Sequence, residues 1–435
     1  MTGKIRTGIA ILGISLLLAS CIEVRHHYDQ LPPGPWRGEL YLDQQTTFRP
    51  GGQAPAPGQR AAVPDDRLPF NFEVRYNDAD QMEAIFRNAA EEVVVTDITF
   101  GRDMTIAKDT LTMRFPGSEN YLRAVFAENA MQGYWVVPSR SNYRVPFEAQ
   151  FGQNHRFDLP ANTKLEDAED FDGRWDVIFN PNSDNPNPAI GEFEQSNLQI
   201  TGTFMTNTGD YRFLQGNVED DKLWLSTFDG VFAFLFGAKK FEDGSVEGFF
   251  RSGTHYEAEW IARRGEETQL DDPTTMTRFK SDHFEFTALD IDGQEVTSEK
   301  YEGKPLVVLV SGSWCPNCKD AKQLLHELTS DKDLDVVVLS FERYREKERA
   351  LPLLKNYHRD LQLDLQLYLA GYFDREEAAE KLGIEDRVQS FPTTIFLDSD
   401  HRIVSTYTGF SGPATSGYEP LSRHFSEEIK KLTGE

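Results

Sequence analysis

At 435 residues the chain is too long for one ordinary domain, and length alone implies two or three. A composition of 39% hydrophobic and 27% charged residues is that of a soluble globular protein. A formal charge of −26 argues against nucleic acid or an anionic lipid surface as partner, since both would be repelled; otherwise the acidity reads as a solubilising surface. Three cysteines, Cys21, Cys315 and Cys318, are too few for a disulfide-stapled scaffold.

Lys4 and Arg6 form a basic start, followed by the apolar run from Ile9 to Leu18. That run is short for a bilayer span and has the length of a signal-peptide core. It ends in Leu18-Ala19-Ser20-Cys21, which resembles the bacterial lipobox, where the cysteine is acylated and becomes the mature N-terminus. Residues 1–20 are therefore expected to be a lipoprotein signal peptide and 21–30 a tether. The protein would sit in the cell envelope, lipid-anchored at Cys21 and facing the periplasm from the inner or outer membrane. An ordinary signal peptide with a chance cysteine, or an uncleaved anchor, is the other reading. With Cys21 lipidated, the two remaining cysteines form a C-x-x-C pair.

Residues 31–264 read as a β-rich region. Loop composition at Leu31–Pro35 and Pro50–Gly58 flanks the alternating run Trp36–Leu42. Short period-two runs follow, among them Phe70–Tyr76, Leu198–Phe204 and Lys222–Phe228, as in an antiparallel sandwich or barrel. Three segments are echoed in order: Trp36–Leu40 by Trp175–Phe179, Met131–Val136 by Val246–Arg251, and Pro146–Phe151 by Tyr256–Ile261. The expectation is two related β units, about 30–155 and 165–264, distantly resembling up-and-down barrels of the lipocalin or avidin kind. Trp224, Phe228, Phe232, Phe234 and Phe236 either fill the core or line a ligand cavity.

The polar run 265–276 reads as a linker, and from 277 to 435 strands alternate with helices. Strands are expected at Phe284–Phe286, Leu306–Ser311, Leu334–Phe341, Leu363–Leu369, Thr393–Leu397 and Arg402–Thr408. Helices are expected near Pro316–Thr329, Glu346–Tyr357, Asp374–Leu382 and Tyr418–Thr433, giving an α/β layer architecture on a mixed sheet. The buried run from Leu306 feeds Trp314-Cys315-Pro316-Asn317-Cys318 at a helix start. Unpaired N–H groups and the helix dipole there favour ionisation of Cys315. Pro316 suits the first helical position, and Cys318 lies one turn on, within disulfide reach.

Three segments occur in order: Gly312–Cys318, Phe391–Asp398 and Thr408–Phe410. Together they resemble the thioredoxin superfamily, specifically exported thiol–disulfide oxidoreductases of the TlpA/ResA type. The resemblance implies a thioredoxin-like fold over 277–435 with a redox-active Cys315–Cys318 disulfide. It also implies a cis Phe391–Pro392 bond whose proline lies against that disulfide. Cys315, Cys318 and Pro392 would then be the catalytic residues, with Trp314, Pro316, Phe391 and Thr393 shaping the site. The family's extra helix and strand fit within Glu346–Arg387. No metal and no cofactor is implied.

The departures bear on proton transfer. Leu309 stands where thioredoxin has a buried acid, and Ala321 stands where TlpA-type proteins carry glutamate. Lys319, Asp320 or water would have to take the proton of Cys318. Half a zinc site is the rival reading of C-x-x-C, but His326 is two turns away along the helix. A peroxiredoxin needs Thr or Ser three residues before its cysteine and a preceding proline, and here Gly312 and Val308 stand at those places.

The expected function is a membrane-anchored oxidoreductase that reduces or exchanges disulfides of envelope proteins and draws on a thiol electron donor, in redox homeostasis or antioxidant defence. The alternatives are a thiol peroxidase of peroxiredoxin type, or a β-barrel lipoprotein that binds a ligand or partner and carries a secondary redox domain.

Overall fold

A computed structural model describes residues 31–43 and 66–434. The expected leader 1–20, Cys21, the tether to 30 and the Pro/Gly run at 50–58 lie outside the described residues.

Period-two alternation gives each strand of the β-rich region one apolar face, and such strands must close on one another or stack. They do so as two antiparallel meanders. The first is a nine-stranded sheet between Gly34 and Phe151, in which all chain neighbours but one pair and strand Gly34–Tyr41 also pairs with Arg144–Phe151. Its two ends are Glu91–Val95 and Asp97–Asp103.

The second meander runs from Gly173 to Arg264 and closes completely. Strand Gly173–Phe179 pairs with Asn187–Ser196 on one side and Tyr256–Arg264 on the other, and Asn187–Ser196 pairs in turn with Gln199–Thr206. The result is an eight-stranded up-and-down barrel, with the short arm Gly209–Asp210 attached at one rim. Its interior is aromatic: Phe204 stacks on Phe236 at 4.8 Å and Phe236 on Phe250 at 4.5 Å, with Phe179 and Trp260 also buried. Each such side chain contributes on the order of 1.5–3 kcal/mol by leaving water. Of the five aromatics singled out in the sequence, Phe234 and Phe236 belong to this core, whereas Trp224 packs against Phe157 and Phe249. Phe228 packs outside it against the first sheet, and Phe232 and Phe234 line a cavity at the barrel's edge.

The last part of the chain is a seven-stranded mixed sheet. Leu306–Ser311 lies near its centre, parallel to Asp335–Glu342 and antiparallel to Thr393–Leu397. Its six residues are buried on both faces, as strands covered by helices on two sides must be. Helices Pro316–Thr329, Lys347–Leu361, Arg375–Leu382 and Tyr418–Thr433 supply the cover.

One expected strand is corrected. Phe284 and Phe286 are buried in irregular chain, because isolated bridges such as His283 to Arg402 hold this segment instead of a ladder. The hairpin lies just beyond, in Thr287–Leu289 and Glu295–Thr297. Strands also begin and end later than expected, at Asp335–Glu342 and Gln366–Tyr372. The run 265–276 has no ladder of its own but is tied at both ends: Thr268 N–H donates to Asp176 at 2.7 Å, and Thr408 N–H donates to the Pro273 carbonyl at 2.9 Å.

Candidate redox site

The central strand ends at Ser311, and at Gly312 the chain turns toward the helix that follows. A Cβ at Gly312 would lie 2.3 Å from the Trp314 ring nitrogen and 2.9 Å from the Phe341 carbonyl, so this close approach needs glycine. Cys315 caps the helix: its Sγ accepts from the Cys318 N–H at 3.1 Å, and Pro316 takes the first helical position. Once the pair is reduced, the N–H groups of that first turn favour negative charge on the Cys315 sulfur.

Cys315 and Cys318 are joined as a disulfide, with Cα atoms 5.2 Å apart. The Phe391–Pro392 bond is cis, and the Phe391 carbonyl oxygen lies 3.4 Å from Cys315 Sγ. Gly409 N–H donates to the Pro392 carbonyl at 2.9 Å, and Thr393 Oγ1 donates to the Ser390 carbonyl at 2.8 Å, fixing the loop. Trp314 donates its ring N–H to Phe341 at 2.8 Å and meets Phe391 edge-on at 5.5 Å. The structure thus gathers Trp314, Cys315, Pro316, Cys318, Phe391, Pro392 and Thr393 around one disulfide.

Sequence reasoning passed over Lys322. It is wholly buried one helical turn past Cys318, and its Nζ donates to Ser311 Oγ at 2.6 Å, with the Tyr357 hydroxyl at 3.2 Å and the Cys318 carbonyl at 3.4 Å. Burial lowers its pKa to about 7, with Glu342 opposing. The candidates named from sequence for proton transfer are placed differently: Lys319 is exposed, and Asp320 is ion-paired with Arg212. A signal was present, since Cys318, Ala321, Lys322 and Leu325 share one helical face and the other three are apolar. Glu342 was also missed. Buried at the end of its strand, it accepts from Ser313 N–H at 3.0 Å, Ser313 Oγ at 2.6 Å and Ser340 Oγ at 2.6 Å.

The larger omission lies in the barrel. Its turn Asn207–Arg212 covers the redox motif. Asn317, between the two cysteines, donates to the Asp210 carbonyl at 3.3 Å, and Ser390 Oγ donates to the Thr208 carbonyl at 2.7 Å. The Asp210 carboxylate accepts from Arg212 N–H and from Gly412 N–H, both at 2.6 Å; burial pushes its pKa up to about 6.

Arg212 joins Glu91 of the first sheet, Asp320 of the redox helix and Asp229 of the barrel. Burial opposes its charge, but Asp320, Glu91 and Asp229 together hold it well above the usual range. Under this cover Cys315 is 6% exposed and Cys318 not at all. Nothing in the period-two pattern of the barrel strands marks a turn residue as a neighbour of a thiol more than a hundred positions away.

Among the described residues no three His, Cys, Asp or Glu side chains converge to hold a metal, and no helix is long and apolar enough to cross a membrane. Residues 294–416 match the family model described as Thioredoxin-like domain. This part of the chain is therefore a thioredoxin-like domain carrying a C-x-x-C pair, preceded by an all-β region in a multidomain protein.

An uncharacterized protein of Haemophilus influenzae is 29% identical over 126 residues, which cover 28% of this chain and 76% of that protein. Among solved structures, a DsbF homologue from Corynebacterium diphtheriae aligns at 19% identity over 38% of this chain and 100% of its own, with a TM-score of 0.28. An exposed lipoprotein thioredoxin from Streptococcus pneumoniae aligns at 22% identity over 34% of this chain and 99% of its own, with a TM-score of 0.24.

Proposed function

We propose that the protein is a lipid-tethered thiol–disulfide oxidoreductase of the TlpA/ResA kind, which reduces or exchanges disulfides of cell-envelope proteins through Cys315 and Cys318. The observation that carries this reading is a cysteine pair in the first turn of a helix, with the carbonyl before the cis proline 3.4 Å from Cys315.

In the reduced protein the Cys315 thiolate attacks a substrate disulfide. One substrate sulfur leaves as thiolate, and a mixed disulfide remains. The Cys318 sulfur then attacks Cys315, the second substrate thiol departs, and the intramolecular disulfide is left. Two electrons have passed to the substrate, and an external thiol donor returns them. Lys322, whose amine reaches the Cys318 carbonyl, is a buried ionisable group next to this pair, and Glu342 is buried against Ser313, whereas Leu309 and Ala321 stand where acids are usual.

The reading is tested with the reduced whole protein and insulin. Reduction of the insulin disulfides is expected, and Cys318→Ala is expected to trap mixed disulfides through Cys315. If neither occurs, the oxidoreductase reading is lost. The tether is supported by Leu18-Ala19-Ser20-Cys21 and is tested separately: radiolabelled palmitate should enter the wild-type chain and not a Cys21→Ala chain.

A further inference from the structure

A cavity of about 400 Å³ opens where the first sheet, the barrel and the redox domain meet. That volume lies in the range of small-molecule sites. Aromatic side chains from all three parts share its wall, including Trp135, Tyr211, Phe232, Phe250 and Trp314.

Two guanidiniums share this wall, Arg140 from the first sheet's side and Arg343 from the redox domain. Arg140 stacks over Tyr143 at 5.3 Å and Arg343 over Trp314 at 5.1 Å. Neither guanidinium forms an ion pair or donates a hydrogen bond to any described residue, and Arg343 Nε is buried without an acceptor.

Both side chains are half-buried, but a desolvated donor without an acceptor, such as Arg343 Nε, is costly and normally has a partner. Burial, then the neighbouring Arg140, lower Arg343 to about 10, which leaves it charged at neutral pH. Burial also lowers Arg140. The third basic group, His255, is pushed by burial and then by the two arginines to about 4 and is neutral.

Two carboxylates also border the cavity; both attract Arg343, while their hydrogen bonds are made with other residues. Glu342 accepts its three hydrogen bonds from Ser313 and Ser340. Glu119 accepts from the Tyr344 hydroxyl, and burial raises its pKa above the ordinary carboxylate value.

We propose that this cavity is a binding site for a small organic anion, with the anionic head held between Arg140 and Arg343 and an apolar, ring-sized body against the aromatic wall beside Trp314. The site does not depend on turnover of the disulfide and is testable in the oxidised protein.

The probes are 8-anilinonaphthalene-1-sulfonate and its uncharged relative N-phenyl-1-naphthylamine, titrated into the whole chain by fluorescence. Saturable binding of the sulfonate is expected, at least tenfold tighter than the uncharged probe and weakened by added salt. The double variant Arg140→Gln/Arg343→Gln should lose tenfold or more in affinity for the sulfonate and keep its affinity for the uncharged probe. Equal affinities of the two probes for the unaltered protein overturn the proposal, as does an absence of saturable sulfonate binding. A folded double variant with undiminished sulfonate affinity overturns it as well. Because the probe comparison uses the unaltered chain, a double variant that fails to fold does not remove the test.

Discussion

In the sheet spanning Gly173–Arg264, strands Asn187–Ser196 and Gln199–Thr206 pair, and the closed ring encloses Phe179, Phe204, Phe236, Phe250 and Trp260. In the sheet spanning Gly34–Phe151 the strands Glu91–Val95 and Asp97–Asp103 remain its two ends, and its apolar face is completed by a residue of the other sheet. Phe228 lies 4.8 Å from Phe70, 5.5 Å from Phe115 and 5.5 Å from Trp135. Asn88 clamps its backbone, donating to the Phe228 carbonyl and accepting from the Phe228 N–H, both at 3.1 Å. Trp135 and Asn120 both donate to the Gly230 carbonyl. Closure decides whether a core is self-contained. The open sheet borrows its missing contacts, and the borrowing fixes the barrel where its rim reaches both the cavity and the thiols.

The largest effect expected from breaking this arrangement is that of Phe228→Ala. Removing a wholly buried phenylalanine costs about 3–5 kcal/mol, and Phe236→Ala should cost a similar amount. The two should differ in where the loss appears. Hydrogen exchange in Phe228→Ala should quicken across the first sheet, around Phe70, Phe86 and Trp135, whereas Phe236→Ala should quicken exchange in the barrel. Equal exchange patterns in the two variants would remove the distinction between borrowed and self-contained cores.

Arg212→Met tests the same junction by charge. Glu91, Asp229 and Asp320 would be left close together without their cation, and breaking a buried pair in this way costs about 3 kcal/mol or more. Urea denaturation should show the loss at pH 7. It should shrink on acidification toward pH 5, because burial already raises the Asp229 pKa to about 6, and protonation relieves the repulsion.

Much of the redox domain was open to a reader of the sequence, and the reason is local. A buried run of Val and Leu, a proline after the first cysteine and a helical stripe each express their physics within a few residues, so Leu306–Ser311 and Pro316–Thr329 appear with the bounds expected. The β half was legible only as a class. Alternation marks strands and glycine marks turns, but neither says which sheet closes. The echoed segments do occupy corresponding places, as the first and the last two strands of each meander. The site's upper wall was hidden because Asp210, Arg212 and Arg140 are ordinary turn or loop residues until folding brings them to Asn317, to Asp320 and to the cavity that Trp314 also lines. Lys322 was hidden for another reason: a lysine on a helix ordinarily reads as solvated.

Lys322 gives a pH test confined to the redox domain. Its folded pKa is lowered to about 7 from 10.5, so the unfolded chain binds more protons between those values. The cost of burying the amine is then fully present below about pH 7 and fades as pH rises toward 10.5. Relative to Lys322→Met, the unaltered protein should gain stability over that window at up to about 1.4 kcal/mol per pH unit. Parallel stability–pH curves for the two proteins would show that the amine is not desolvated.

The smallest expected effect addresses the barrel's cover over the thiols. Asn317 holds the turn Asn207–Arg212 through one hydrogen bond to the Asp210 carbonyl, and Gly209 fits beside it only because a Cβ would lie 2.7 Å from Asn317 Nδ2. Asn317→Ala removes that bond and the contact while leaving both cysteines and the cis-proline loop in place. A hydrogen bond of this kind contributes about 0.5–1.5 kcal/mol, so global stability should change little. Local opening of the turn should become about 2- to 10-fold more frequent by the same energy. If the turn limits access, reduced Cys315 should react with iodoacetamide faster by that factor, in a background where Cys318 is replaced by Ala. Ser390→Ala, which removes the neighbouring bond to Thr208, should act in the same direction. Unchanged alkylation rates in both variants would mean that the thiol is reached by another route, and the barrel would then serve as support for the redox domain without gating it.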